Sequence, residues 1–146
     1  MATAAEELKR VPLFSDLSQR QLRRLARRSR ERTFRAGAEI VREGQMSGAD
    51  FFVIAEGNVS VTTSEGKELA RLGPGDYFGE LALIGERTRL STVTALEDVR
   101  CHTLATWHFR QFVNENPDVS WKLLKHLVDL ISDLLAQAEP ARRKRS

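Results

Sequence analysis

The sequence predicts an α+β fold that is mainly β, an antiparallel sandwich or barrel set between N-terminal helices and a C-terminal helix pair. Three observations predict it. All nine glycines fall between Gly37 and Gly85, so the residues that turn most freely occupy about a third of the 146-residue chain. Inside that stretch short runs alternate apolar and polar side chains, the period of a half-buried strand. On either side the apolar residues recur at spacings of three and four, the period of an amphipathic helix.

The elements follow in order. Val11, Leu13, Phe14 and Leu17 around Pro12 form a hydrophobic turn that docks the first long helix on something larger. Ser18 and Gln21 have the spacing of a capping box, in which a hydroxyl and an amide each satisfy the other's backbone N–H. Leu22, Leu25 and Ala26 continue the narrow stripe begun at Leu17, and Arg20, Arg23, Arg24, Arg27 and Arg28 cover the rest of the surface. From about Thr33 to Thr106 short strands take over: Glu39–Arg42, Phe51–Ala55, Asn58–Thr63 and Lys67–Leu72, separated by Gly44, Gly48, Gly57 and Gly66. Thr92–Leu96 and Val99–Leu104 are expected to pair across a Glu97–Asp98 turn. Turns at such short intervals suit an antiparallel sandwich or barrel. Thr106 then caps a short helix carrying Trp107, Phe109, Phe112 and Val113. Asn116-Pro117-Asp118 supplies a cap, a proline at the first helical position and an acid in the first turn. The last helix places Leu123, Leu127, Leu130, Ile131 and Leu134 on one stripe, widened by Trp121, Leu124, Val128 and Leu135. Arg142–Arg145 read as a solvated basic tail.

Charge and composition exclude several classes. The net charge of +3 is unevenly spread. Residues 1–35 carry ten Lys/Arg against four Asp/Glu, residues 36–106 six against eleven, and residues 107–146 seven against five. No apolar run approaches the roughly 20 residues of a membrane-spanning helix, and the N-terminus lacks the apolar block of a secretory signal. A lone cysteine, Cys101, forms no internal disulfide and fits a cytoplasmic location. Its place on a predicted strand marks it as a small core residue. No Gly-x-Ser-x-Gly elbow and no HExxH helix occur, so no catalytic residues are assigned. His102, His108 and His126 fall on separate elements and read as packing or surface residues; no metal is expected. The arginines of residues 20–35 lack interleaved aromatics, which makes them a solvated face and disfavours nucleic acid as a partner.

One segment carries chemistry. Phe78-Gly79-Glu80-Leu81-Ala82-Leu83-Ile84 is followed by Arg89-Leu90-Ser91-Thr92-Val93. Gly79 opens a run with helical spacing between two strands, and the N–H groups at a helix start suit an anion. Arg89 returns a guanidinium fitted to a phosphate. Glu80 beside a phosphate makes sense as an acceptor for a sugar hydroxyl. A nucleotide site and a tight turn held by an Arg89–Glu80 ion pair both fit these residues.

This segment resembles the phosphate-binding cassette of the cyclic nucleotide-binding domain family, which includes protein kinase A regulatory subunits, catabolite activator protein and cyclic-nucleotide-gated channels. Pro12-Leu13-Phe14, Gly57-x-Val59-x-Val61 and Leu72-Gly73-Pro74-Gly75-Asp76-Tyr77-Phe78-Gly79 match it as well. The resemblance covers about residues 8–137. It implies a β-roll, a jelly-roll-like double-stranded barrel, in a single domain over 1–137: helices to residue 32, roll over 33–106, hinge and lid helices over 107–137, and a disordered tail over 138–146. It implies that Glu80 accepts the ribose 2′-hydroxyl. Arg89 neutralises the cyclic phosphate, with backbone N–H groups of Gly79, Glu80, Leu81, Ala82 and the Leu90 region. Val61 packs on the base, and Trp121 or a later apolar residue serves as lid. Leu83 is the hydrophobic relay toward Phe109 and Phe112. Leu90 departs from the small residue or threonine usual after the arginine. Threonine there accompanies cGMP preference, so its absence favours cAMP over cGMP, whereas leucine's bulk also permits weakened phosphate binding. Ser91 offers the phosphate a hydroxyl. The expected function is a regulatory sensor that binds a cyclic nucleotide and repositions its C-terminal helices, acting on an effector domain or a homodimer partner. The alternative is a degenerate member that serves as a dimerisation or docking module.

Overall fold

Helix α1 (Ala4–Lys9) starts where the Thr3 hydroxyl accepts the Glu6 N–H, and Pro12–Phe14 forms a 3₁₀ turn behind it. Helix α2 (Gln19–Arg28) opens with the expected capping box. Gln21 N–H donates to Ser18 Oγ at 3.1 Å, and Ser18 N–H to Gln21 Oε1 at 2.9 Å. This computed structural model of the chain describes residues 2–42, 50–79 and 91–138.

Among the described residues eight strands follow: β1 (Arg30–Phe34), β2 (Glu39–Val41), β3 (Asp50–Glu56), β4 (Val59–Thr62), β5 (Glu68–Leu72), β6 (Tyr77–Phe78), β7 (Thr92–Ala95) and β8 (Val99–Ala105). They build two four-stranded antiparallel sheets, ordered β1-β8-β3-β6 and β2-β7-β4-β5. The expected pairing of the two strands around Glu97–Asp98 does not form. β7 joins β2 and β4, while β8 joins β1 and β3. The turn carries the chain from one sheet to the other, so each strand keeps an apolar face toward the interior between the sheets. Gly57 makes the corresponding crossing between β3 and β4. Its φ is +89°, and a Cβ there would lie 2.5 Å from the Asp98 carbonyl oxygen, so both conformation and space require glycine.

Alternation sorts the first sheet into two faces. Phe52, Ile54, Phe78, Val99 and Cys101 turn inward and meet Val41, Val59, Val93 and Ala95 of the second sheet in one core. Phe51 belongs to the other face, with Phe14 and Phe109 packed around it. Helices α3 (Thr106–Glu115) and α4 (Pro117–Ala138) complete the described chain, with Pro117 at the first helical position as expected. The chain forms two compact units, Met1–Phe112 and Val113–Ser146. In the second, Val119 N–H bonds the Asn116 carbonyl at 2.9 Å, and α4 exposes Trp121, Leu124, Val128, Ile131 and Leu135. No described helix is long and apolar enough to cross a membrane.

Candidate functional site

The segment expected to form the site runs between a strand of one sheet and a strand of the other. β6 is held to β3 by the Phe52–Phe78 and Val53–Tyr77 pairs, and the chain leaves it at Gly79 with φ +92°. Only glycine takes that conformation without strain. The chain is described again at Ser91, immediately before β7 in the second sheet. The cassette therefore begins at the edge of one sheet and ends in the interior of the other. Glu80, Leu81, Ala82, Leu83, Arg89 and Leu90 lie outside the described residues.

Of the expected site residues that are described, Val61 lies on β4 and Ser91 immediately precedes β7. Val61 on β4 pairs with Val93 on β7, and Thr62 with Thr92, so Val61 flanks the cassette's exit. Val61 is half-buried and packs against the core cluster containing Phe78 and Val93. The Phe52 and Phe78 rings stack at 4.7 Å, 9° from parallel, and fix the position of β6.

Phe109 and Phe112, the expected receiving residues of the relay, are buried on α3. Their described partners are aromatic. Phe109 lies 4.5 Å from Phe51, centroid to centroid, and both Phe109 and Phe112 lie 6.4 Å from Phe14. Phe51 in turn lies 5.3 Å from Tyr77. A chain of rings thus runs from Tyr77, two residues before Gly79, through Phe51 to Phe109. The sequence reading missed this link. The available signal was the adjacent pairs Phe51-Phe52 and Tyr77-Phe78, in which alternation must send one ring to each face of the sheet.

A second constellation, also missed, ties α1 to the same sheet. Arg100 donates to both carboxylate oxygens of Glu7 (3.0 and 2.6 Å), to Glu31 (2.6 Å) and to Glu56 (2.9 Å). His102 Nε2 lies 2.9 Å from Glu7 Oε1. Hydrogen bonding to Arg100 holds the Glu7 carboxyl well below the usual carboxylate range, at about 2, against the opposing effect of burial. The three carboxylates correspondingly raise the Arg100 guanidinium. Cys101 is fully buried, and burial pushes its thiol up to about 12. It is the expected core residue, and His102 is a packing histidine with one polar partner.

The chain leaves one antiparallel sheet at Gly79 and enters the other at β7, and rings of the first sheet touch the following helix. The cyclic nucleotide-binding domain family matches residues 31–116, and the chain belongs to that family. Among curated relatives, it is 40% identical over 110 residues to a cyclic nucleotide-gated potassium channel of Mesorhizobium japonicum, covering 75% of this chain and 30% of the channel. It is 38% identical over 115 residues to cGMP-dependent protein kinase isozyme 1 of Drosophila melanogaster, covering 74% of this chain and 15% of the kinase. The chain thus spans less than a third of the length of these relatives. The structure of the regulatory domain of Toxoplasma gondii protein kinase A with cAMP superposes with a TM-score of 0.76 at 30% identity, over 86% of this chain and 49% of that one.

Proposed function

We propose that residues 1–137 act as a single cAMP-responsive regulatory domain, cytoplasmic and without catalytic activity of its own. In this reading Glu80 accepts the ribose hydroxyl. Arg89, Ser91 and the backbone N–H groups of Gly79, Glu80, Leu81, Ala82 and the Leu90 region hold the cyclic phosphate, and Val61 packs on the base. The local net charge of residues 36–106 is negative, so phosphate binding depends on these donors at short range. Leu90 in place of threonine supports cAMP over cGMP. Ordering of the cassette displaces Leu83 and the α3 aromatics, and the C-terminal helices follow, with the basic tail beyond them. A ligand drives that shift only as far as its affinity differs between the two states. The output is taken up by an effector domain or by a second copy through the C-terminal helix.

The observation that carries the proposal is the chain of rings from Tyr77, two residues before Gly79, through Phe51 to Phe109 on α3. Calorimetric titration with cAMP and cGMP tests the ligand. The expected result is tighter binding of cAMP and at least a tenfold loss in Arg89→Ala, on the order of the 1.5–3 kcal/mol of a charge-assisted hydrogen bond. An unchanged affinity in that variant overturns the site. Absence of binding by either nucleotide favours the second reading, a docking module whose cassette is blocked by Leu90. Hydrogen exchange across 107–137 with and without cAMP tests the movement.

A further inference from the structure

Between helices α1 and α2 runs a groove of about 600 Å3. Ala4 and Ala5 of α1 line one side, and Arg20, Arg23, Ala26 and Arg27 of α2 line the other. The three alanines are half-buried and end at Cβ, so they leave the groove open, whereas the arginines are exposed. Leu22 and Leu25 are buried and occupy the far face of α2.

The arginines form one row. Positions i, i+3 and i+7 of an α-helix fall within about 60° of one direction, and Arg20 to Arg27 spans about 10 Å along the axis. None of the ten residues of α2 is acidic, so the helix does not neutralise the row itself. Arg23 Nε donates to the Gln19 carbonyl at 3.4 Å, and its two terminal amino groups remain. Among the described residues no carboxylate bonds Arg20, Arg23 or Arg27, in contrast to Arg100 with its three acids. Arg24 and Arg28, on the adjoining face, have partners of their own and take no part in the row.

One carboxylate also lines the groove. Glu6 accepts the Thr3 hydroxyl at 3.1 Å and, among the described residues, makes no ion pair with the arginines. An occupant must therefore bring negative charge to the α2 side and hydrogen-bond donors to the α1 side. An acidic peptide does both, since its carboxylates alternate with backbone N–H groups. A phosphodiester backbone carries charge without those donors, and with its leucines buried α2 has no apolar side chain to enter a bilayer. In an extended segment alternate side chains lie about 7 Å apart on one side, so successive same-side acids fit a row of this length.

Arginine clusters recognise acidic motifs through paired N–H donors. We propose that this groove docks an extended acidic segment of a partner protein, apart from both the cassette and the C-terminal helix. Arg20, Arg23 and Arg27 take its carboxylates, and Glu6 accepts one of its backbone N–H groups.

The probe is a fluorescein-labelled octapeptide of alternating glutamate and serine, titrated with the nucleotide-free chain and read by anisotropy. The expected result is saturable binding that weakens with added salt, and no binding of the same peptide with glutamine for glutamate. Arg20→Gln/Arg27→Gln should weaken the acidic peptide at least tenfold while the urea midpoint stays at the wild-type value. Arg30→Gln/Arg35→Gln removes as much charge outside the groove and should change the affinity less than twofold. Absence of saturation, equal binding of the glutamine peptide, or equal losses in the two paired variants would each overturn the docking groove. So would a short DNA duplex, or vesicles of phosphatidylserine, that binds more tightly than the peptide and is lost in Arg20→Gln/Arg27→Gln, because the groove would then serve a phosphate polyanion. Failure of cAMP to bind leaves this test intact, since it reads neither nucleotide nor cassette.

Discussion

The two faces of the first sheet are made from alternate residues of the same strands, yet they hold different kinds of structure. Inward, Phe52, Phe78, Ile54 and Cys101 form an apolar core with the second sheet. Outward, Phe51 and Tyr77 meet the aromatic rings of the helical layer, and Arg100 and His102 meet Glu7 of α1. The inward face joins like to like and is uniform in its chemistry. The outward face joins strands to helices through a few discrete links, an aromatic path and an ionic cluster. A register slip of one residue would exchange the two sets. Burial alone therefore does not identify residues that join the sheet to the helical layer; the identity of the buried neighbour does.

Paired substitutions at Phe51 and Phe52 break this comparison most severely. Both side chains are almost fully buried, so truncation to alanine should cost each about 3–5 kcal/mol, measured by denaturant unfolding. Gentler changes separate them. Phe52→Leu should lower stability while hydrogen exchange in α3 still responds to cAMP. Phe51→Leu should diminish that response at a similar loss of stability. Equal responses in the two variants would remove the aromatic path as a link.

Much of the strand layout was legible beforehand, and the gaps have physical causes. The Val59/Val61 alternation and the Gly66 turn mark a hairpin because neighbouring strands share one sheet, and β4 and β5 do pair. The Glu97–Asp98 turn carries the same local signal, yet its strands separate, since sheet membership is decided by distant partners. β1 was missed. Its first four residues, Arg30, Glu31, Arg32 and Thr33, are all exposed, and an edge strand with polar residues on both faces has no hydrophobic period to read. The Thr92–Leu96 strand was legible from its alternation, and β7 covers Thr92–Ala95. The Glu7–Arg100 cluster was not, because 93 residues separate its members.

The ionic link gives the next smaller effect. Glu7 is buried, and its carboxyl is held at about 2, below the ordinary value near 4.5. A depressed carboxylate contributes stability that is present above pH 4.5 and lost as pH falls toward 2. Glu7→Gln should therefore cost about 2 kcal/mol at pH 7, less than a deeply buried pair because Arg100 is partly exposed. Its deficit relative to wild type should shrink as pH falls from 4.5 to 2, read from urea midpoints across that range. A deficit constant with pH would mean that the carboxylate charge is not what anchors α1.

The smallest effect sharpens the same point on the second sheet. Glu68 and Arg71 approach to 2.6 Å, the same separation as the Arg100–Glu7 contact. Their side chains are 38% and 69% exposed, against 9% for Glu7. The Arg71 hydrogen bond lowers the Glu68 carboxyl, but water and salt screen an exposed pair and the side chains surrender rotamer freedom to form it. Glu68→Gln should leave the urea midpoint unchanged within error at moderate salt, with an acid limb that still overlays wild type. Ser60 reaches the same carboxylate oxygen at 3.1 Å, and glutamine's carbonyl can accept that bond in its place. If Glu68→Gln instead destabilised the protein as much as Glu7→Gln, distance would outweigh burial. The contrast between the clamped outer face of the first sheet and the solvated edge of the second would then lose its physical basis.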